Sequence, residues 1–382
     1  MSESRPLWLT KIKDSWIAKP IVWLAGVRRI GKTTLAKSLN ADVFLNCDMP
    51  SVRARLDDPE SFFKEHSNGL IVFDEIHQLN RPDEILKIAA DEYKDLKILA
   101  TGSSTLAATK KFKDTLTGRK KLVHLLPVLV DELPLFGIKN LKIRLLQGGL
   151  PPALLSPQLN AEFYLEWLDS YYARDVQELF RVEKRQPFLK LLELLLIENG
   201  SYLDITRVAR LSGISRPTAI HYLNVLEITK VISIIRPCSK NSTQTIISQP
   251  KIYGFDTGFV NFVKGIEQLR TDDCGLLLEN LVLETLQSLD LNVPIQYWRT
   301  KNQMEVDFII PAKRDVTHTI ECKWSANAFD PAAVISFRKH NPQGKNIVVC
   351  EKIQTPSRKT IKGLVFQFYS ISELRSQYPF VG

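Results

Sequence analysis

Gly26-Val27-Arg28-Arg29-Ile30-Gly31-Lys32-Thr33 constrains this chain more than any other stretch. It reads G-x-x-x-x-G-K-T. The apolar run Ile21-Val22-Trp23-Leu24-Ala25 precedes it, and residues 34–39, of helical character, follow it. Strand, glycine loop and helix in that order make a phosphate cradle. The glycines let successive N–H groups turn towards one anion, and the helix N-terminus adds its positive dipole end. In that setting Lys32 is expected to reach the β- and γ-phosphates of a nucleotide, and the Thr33 hydroxyl to sit on Mg²⁺. A chance glycine turn beside a lysine would lack the flanking strand and helix.

A second segment fits the first. Leu70-Ile71-Val72-Phe73 followed by Asp74-Glu75 reads as a strand buried on both faces that ends in two carboxylates. At the carboxyl end of a parallel strand, Asp74 is expected to hold the Mg²⁺ shell and Glu75 to polarise an attacking water. Residues 42–46 and 96–100 are further strand candidates. Together they predict a doubly wound parallel sheet. The last of them runs into Thr101-Gly102-Ser103-Ser104. If the strand order is that of AAA+ proteins, a hydroxyl there lies between the two motif strands, and Ser103 is a candidate γ-phosphate sensor. A plain turn is the alternative.

Composition limits the alternatives. The 382 residues suffice for two or three domains. No apolar run reaches membrane-spanning length, and residues 1–6 lack a signal-peptide pattern. Five scattered cysteines without a C-x-x-C pair argue against a zinc site and for a reducing, cytoplasmic setting. The formal net charge of +9 suits an anionic partner, of which nucleic acid is the commonest, and equally suits a basic solvated surface.

Residues 110–121 hold six Lys or Arg against Asp114. Arg119, after Gly118, is a candidate arginine finger on a neighbouring subunit's nucleotide, which would make the protein a homo-oligomer; a solvated basic loop is the alternative. Gly148-Gly149-Leu150-Pro151-Pro152 punctuates the chain and marks a boundary. An aromatic amphipathic helix over 160–181 follows, then a leucine-rich helix over 188–199. Residues 203–226 have helix-turn-helix form, with Val208, Ala209 and Leu211 in the first helix, Gly213 at the turn and Ser215 capping the second. A strand over 231–235 and a polar turn over 240–245 complete a winged-helix outline. Arg216, Thr218 and His221 would face a DNA major groove, although many such units only pack protein.

The last hundred residues read α-β-β-β-α-β. Period two puts Glu321 and Lys323 on one strand face, beside Asp307 of the neighbouring strand. Two carboxylates and a lysine can hold Mg²⁺, activate water and stabilise a pentavalent phosphate, with Glu279 from the helix as a further ligand. A nuclease fold kept only for packing carries similar residues.

Taken in order, these segments resemble proteins that join an AAA+ ATPase domain of the AAA_14 type to a DUF4143 region. The resemblance rests on residues 26–34 in their G-x-R-R-x-G-K-T-T form, residues 70–75, 101–104, Gly118-Arg119, 148–151, 171–175, 251–258 and the Asp307, Glu321 and Lys323 set. It implies an α/β protein in three parts. The first is a P-loop AAA+ domain over 1–149, with Gly26, Arg29, Gly31, Lys32, Thr33, Thr34, Asp74 and Ser103 binding ATP. Next comes a helical and winged-helix region over 150–260. The third is a restriction-endonuclease-like domain over 261–382. The expected activity is ATP hydrolysis, with DNA as partner and possible metal-dependent cleavage through Asp307, Glu321 and Lys323. The alternative is an ATP-switched DNA-binding or signalling protein whose nuclease fold is silent.

Overall fold

The computed structural model describes residues 5–102, 116–238, 249–313, 315–353 and 356–378. All five residues of β1 (Ile21–Ala25) are buried, as a strand covered on both faces requires. Around it stand β2 (Val43–Asn46), β3 (Gly69–Asp74), β4 (Leu96–Gly102) and β5 (Lys120–His124), in the order β2-β3-β4-β1-β5 and parallel throughout. Side chains alternate across β1. Ile21, Trp23 and Ala25 join one hydrophobic cluster, while Val22 and Leu24 join the other. The strand expected over 96–100 does lie between the two motif strands. β5 is hidden within the basic stretch because it is an edge strand. Leu122 is half exposed, and Val123 is its one buried residue.

The aromatic helix runs as an α-helix over Ala161–Tyr171. It then widens to i→i+5 bonding over Tyr172–Gln177 before a last turn at Glu178–Phe180. The leucine-rich helix spans Arg185–Ile197. Helices Ile205–Ser212 and Arg216–Ile228 form the helix-turn-helix. Asp204 accepts from the Arg207 amide at 2.9 Å to cap the first. Gly213, at φ +70°, makes the left-handed turn between them.

β6 (Ile232–Pro237) and β7 (Lys251–Gly254) form a hairpin. The turn expected over 240–245 lies outside the described residues. The C-terminal elements follow the expected order: helix Thr271–Gln287, β8 (Gln296–Arg299), β9 (Glu305–Lys313), β10 (Val316–Cys322), helix Ala332–Arg338 and β11 (Asn346–Cys350). Two more strands close the sheet, β12 (Ser357–Ile361) and β13 (Leu364–Ser370). The sheet order is β12-β13-β11-β10-β9-β8-β6-β7. β6 pairs in parallel with β8 through Arg236 to Gln296 and Pro237 to Tyr297, so one sheet runs across the division expected at 260.

A single hydrophobic cluster extends from Trp8 to Tyr378. The glycine-proline boundary is inside it. Arg144 is fully buried and donates to Val128 O at 2.7 Å and to Thr257 Oγ1 at 3.1 Å, and it ion-pairs with Glu284. Asp256 accepts from the Gly149 amide at 2.6 Å. A side chain at Gly149 would meet the Arg144 guanidinium at 2.6 Å, which explains the glycine. The five cysteines are free. Among the described residues no helix is long and apolar enough to cross a membrane.

Candidate functional site

The loop after β1 folds as its sequence requires. Gly31 takes φ +99° immediately before the helix Lys32–Lys37, a conformation that penalises any residue with a Cβ. At Gly26 a Cβ would stand 2.9 Å from Leu125 O, so this position must also be bare. Lys32 is buried at 8% exposure, and its Nζ donates to Gly26 O at 3.0 Å and Val27 O at 3.1 Å. Burial lowers its pKa.

The Thr33 hydroxyl lies 2.9 Å from Asp74 Oδ2. Thr101 donates to Asp74 Oδ1 at 2.6 Å and accepts from the Glu75 amide at 3.0 Å. Glu75 itself sits at φ +54°, a left-handed conformation held in place by that amide bond, and its Oε2 lies 3.2 Å from His77 Nδ1. A hydroxyl and a carboxylate side by side at a strand's carboxyl end are hard oxygen donors that fit Mg²⁺. Of the described residues in the 101–104 stretch, Thr101 brings its hydroxyl to this group. Ser103, the expected sensor, lies outside the described residues.

A cleft of about 530 Å³ opens over the loop. Gly26, Arg29, Gly31, Lys32, Thr33, Thr34 and Glu75 line it, and so do Pro151, Arg174 and Asp175. Sequence reasoning does not assign the last three to the site. Arg28 ion-pairs with Asp175, and Arg29 pairs with Glu166 at 2.9 Å. Burial pushes the Asp175 carboxyl up despite Arg28 beside it. Arg174 is exposed in the cleft wall and makes no ion pair with another described residue. Arg119 is elsewhere. It immediately precedes β5, whose Lys120 pairs with Ile21, so it lies at the amino end of the sheet, opposite the cleft. There its Nε and Nη2 donate to the two carboxylate oxygens of Asp91, at 2.6 and 3.0 Å.

The second constellation is on the C-terminal sheet. Asp307 Oδ2 accepts from the Cys322 amide at 2.7 Å, which ties β9 to β10. Lys323 Nζ lies 2.9 Å from Glu321 Oε2 and 3.5 Å from Asp307 Oδ2. The three expected residues are therefore together. Glu279 faces the same cluster through Tyr253, whose hydroxyl donates to it at 2.8 Å, and through Lys251 at 3.5 Å. Lys251 also pairs with Glu305 at 2.5 Å. Four carboxylates share two lysines, and Glu321 Oε1 is buried with no hydrogen-bond partner. Burial and then Asp307 push Glu321 up to about 8 and Glu305 up to about 7. Among the described residues no three His, Cys, Asp or Glu groups stand in a ready metal-holding arrangement.

Residues 18–133 match the AAA_14 family, an AAA domain, and residues 274–373 match DUF4143, a domain of unknown function. Residues 18–133 thus carry an AAA_14 domain and residues 274–373 a DUF4143 region. Between the two, residues 138–270 match DUF8612, also a domain of unknown function. Uncharacterized proteins of Mycobacterium tuberculosis and Mycobacterium bovis are each 27% identical over 303 residues, covering 76% of this chain and 67% of theirs. Among solved structures, the Walker-type ATPase PABY2304 of Pyrococcus abyssi aligns at 15% identity and TM-score 0.42, over 67% of this chain and 94% of its own. AMPPCP-bound DnaA from Aquifex aeolicus aligns at 14% identity and TM-score 0.30, over 59% and 87%.

The helix-turn-helix exposes Arg210, Arg216 and His221, with Thr218 half-buried. Arg207 is also exposed, but it pairs with Glu198 at 2.5 Å.

Proposed function

We propose that this protein binds ATP with Mg²⁺ over the loop that follows β1, hydrolyses it, and uses the nucleotide to regulate how its helix-turn-helix engages duplex DNA. The observation that carries the reading is the convergence of Lys32, Thr33, Asp74, Thr101 and Glu75 at the carboxyl end of a parallel sheet. Lys32 would exchange the Gly26 and Val27 carbonyls for β- and γ-phosphate oxygens. Thr33 and Asp74 would hold Mg²⁺, which supplies charge neutralisation on the phosphates. Glu75 would take a proton from the attacking water while His77 steadies its carboxylate. Arg119, committed to Asp91 at the far end of the sheet, would meet a nucleotide only on a neighbouring copy, in a homo-oligomer.

The test is nucleotide binding and turnover by purified protein. Lys32→Ala should abolish binding. Glu75→Gln should bind as wild type does and lose turnover by about 100-fold, because it keeps the cradle and removes only the water's partner. Wild-type turnover in Glu75→Gln would overturn that role.

A second reading is metal-dependent phosphodiester cleavage in the DUF4143 region. The unpartnered Glu321 Oε1 within a group of four acids and two lysines favours it. A divalent ion between Asp307 and Glu321 would take up the excess negative charge, with Lys323 steadying the phosphate. The competing outcome is a silent fold in which the lysines do no more than neutralise buried acids.

A further inference from the structure

Both arginines of the phosphate loop are held by one helical segment from the next region. Arg28 pairs with Asp175, which is buried at 5% exposure, and the Arg28 carbonyl accepts from Trp167 Nε1 at 2.9 Å. Arg29 pairs with Glu166 at 2.9 Å, and its guanidinium lies 5.3 Å from the centroid of the Phe163 ring. Phe163, Glu166 and Trp167 lie on the helix Ala161–Tyr171, and Asp175 on its i→i+5 continuation Tyr172–Gln177.

The same segment holds the helix-turn-helix at its other side. Tyr171 shares a 2.7 Å hydrogen bond with Thr229, the residue that ends the second helix Arg216–Ile228. Tyr172 lies 5.9 Å from Phe188 between ring centroids, and Phe188 lies 5.2 Å, edge-on, from Tyr222 of that helix. The segment that holds the loop through Trp167 and Asp175 thus reaches the helix that would enter a groove through the adjacent Tyr171 and Tyr172.

The electrostatics make this connection responsive. Asp175 lines the cleft that Lys32 faces and acts on Lys32 through its charge. A triphosphate there brings several negative charges beside a buried carboxylate whose partner is a single guanidinium. Arg binds phosphate and carboxylate alike through two parallel bonds, so a triphosphate, with more charge and more oxygens, competes with the single carboxylate for that guanidinium. An i→i+5 turn inside an α-helix is rare and is frequently found at functional sites.

We infer that nucleotide phosphate competes with Asp175 for Arg28, and that this exchange releases Tyr172–Gln177 and repositions the helix Arg216–Ile228 through Tyr171 and Tyr172. The inference rests on the ATP-binding reading and names the regulation of that site. It makes Asp175 a positioning residue with a quantifiable coupling. By linkage, DNA and nucleotide must change each other's affinity by the same factor.

Hydrogen exchange on the full chain, with and without a non-hydrolysable ATP analogue and Mg²⁺, tests it without relying on DNA. Wild type should exchange faster over 172–177 when nucleotide is present. Its protection over 216–228 should change by about fivefold or more, the lower end of ordinary allosteric coupling. Asp175→Asn should bind the analogue and lose the response over 216–228. Tyr171→Phe keeps the ring, removes only the hydroxyl at Thr229, and should weaken the response over 216–228 while leaving that over 172–177. It is the fallback should Asp175→Asn fold poorly. Nucleotide binding with unchanged exchange in both segments overturns the inference and leaves the ATPase reading intact. A full response in folded Asp175→Asn also overturns it. No nucleotide binding by wild type removes the ATPase reading and the inference together.

Discussion

Thr101 donates its hydroxyl proton to Asp74 at 2.6 Å and has no solvent exposure. The same oxygen accepts from the Glu75 amide at 3.0 Å, so one side chain fixes both carboxylates of the motif. Thr101→Val preserves shape and removes both bonds. It leaves a buried amide unpaired, at a cost of about 1–3 kcal/mol in stability. ATP turnover should fall by about 10- to 100-fold, as for other residues that orient metal-holding groups, with nucleotide affinity nearly unchanged. Thermal unfolding and steady-state turnover check both halves. Unaltered turnover would place the orienting role elsewhere.

Arg144 is buried between Glu284 and Asp256, two acids against one cation. Burial pushes Glu284 up to about 8 from an ordinary 4.5. The folded state therefore holds a proton on Glu284 that the unfolded chain releases. The stabilisation is fully present below pH 4.5 and is lost as pH rises towards about 8. The slope approaches about 1.4 kcal/mol per pH unit within that window. Urea unfolding at several pH values should show this decline in wild type and a flatter profile in Glu284→Gln. Identical profiles would remove Glu284 as the titrating group.

Charge reversal at Arg210 and Arg216 should weaken duplex DNA binding. Each reversal should also reduce the salt slope by about one unit for every phosphate that no longer meets a cation. Arg207→Glu should do less, because Arg207 is already paired with Glu198 at 2.5 Å. Titrations at several salt concentrations decide it. If the folded double variant binds as wild type does, the interface lies off this helix pair.

Asp307→Ala and Lys323→Ala should abolish nicking of linear and branched DNA in Mg²⁺ or Mn²⁺ if the second reading holds. Calorimetry should find Mn²⁺ binding that depends on Asp307. No nicking under any nucleotide condition, with no such metal binding, makes the DUF4143 region a scaffold.

The features that sequence discloses are local ones. Gly26 to Thr33 and Asp74-Glu75 each carry their chemistry within a few residues of a strand end, so spacing alone locates them. The Asp307, Glu321 and Lys323 set is legible because period two fixes a strand face. What sequence does not disclose depends on distance along the chain. Asp175 reaches Arg28 across 147 residues, and no periodicity marks that pairing. The place of Thr101 is not legible because the end of β4 is not marked in the sequence: the strand runs to Gly102 and puts the threonine inside the sheet, where it reaches Asp74. β5 and β12 escape sequence reading because edge strands need little apolar surface, and β12 exposes Arg358, Lys359 and Thr360 in a row.

The short parallel pairing of Arg236 with Gln296 and Pro237 with Tyr297 has an evolutionary consequence. A module that can be shuffled between genes must carry its own sheet edges. Here β8 borrows a neighbour from the hairpin that follows the helix-turn-helix, and a C-terminal unit inherited without that hairpin would present β8 as a bare, adhesive edge. The two halves of this sheet are thus expected to travel through descent as one heritable piece, with the ATPase domain as the part open to exchange only where the partner supplies its own Asp175.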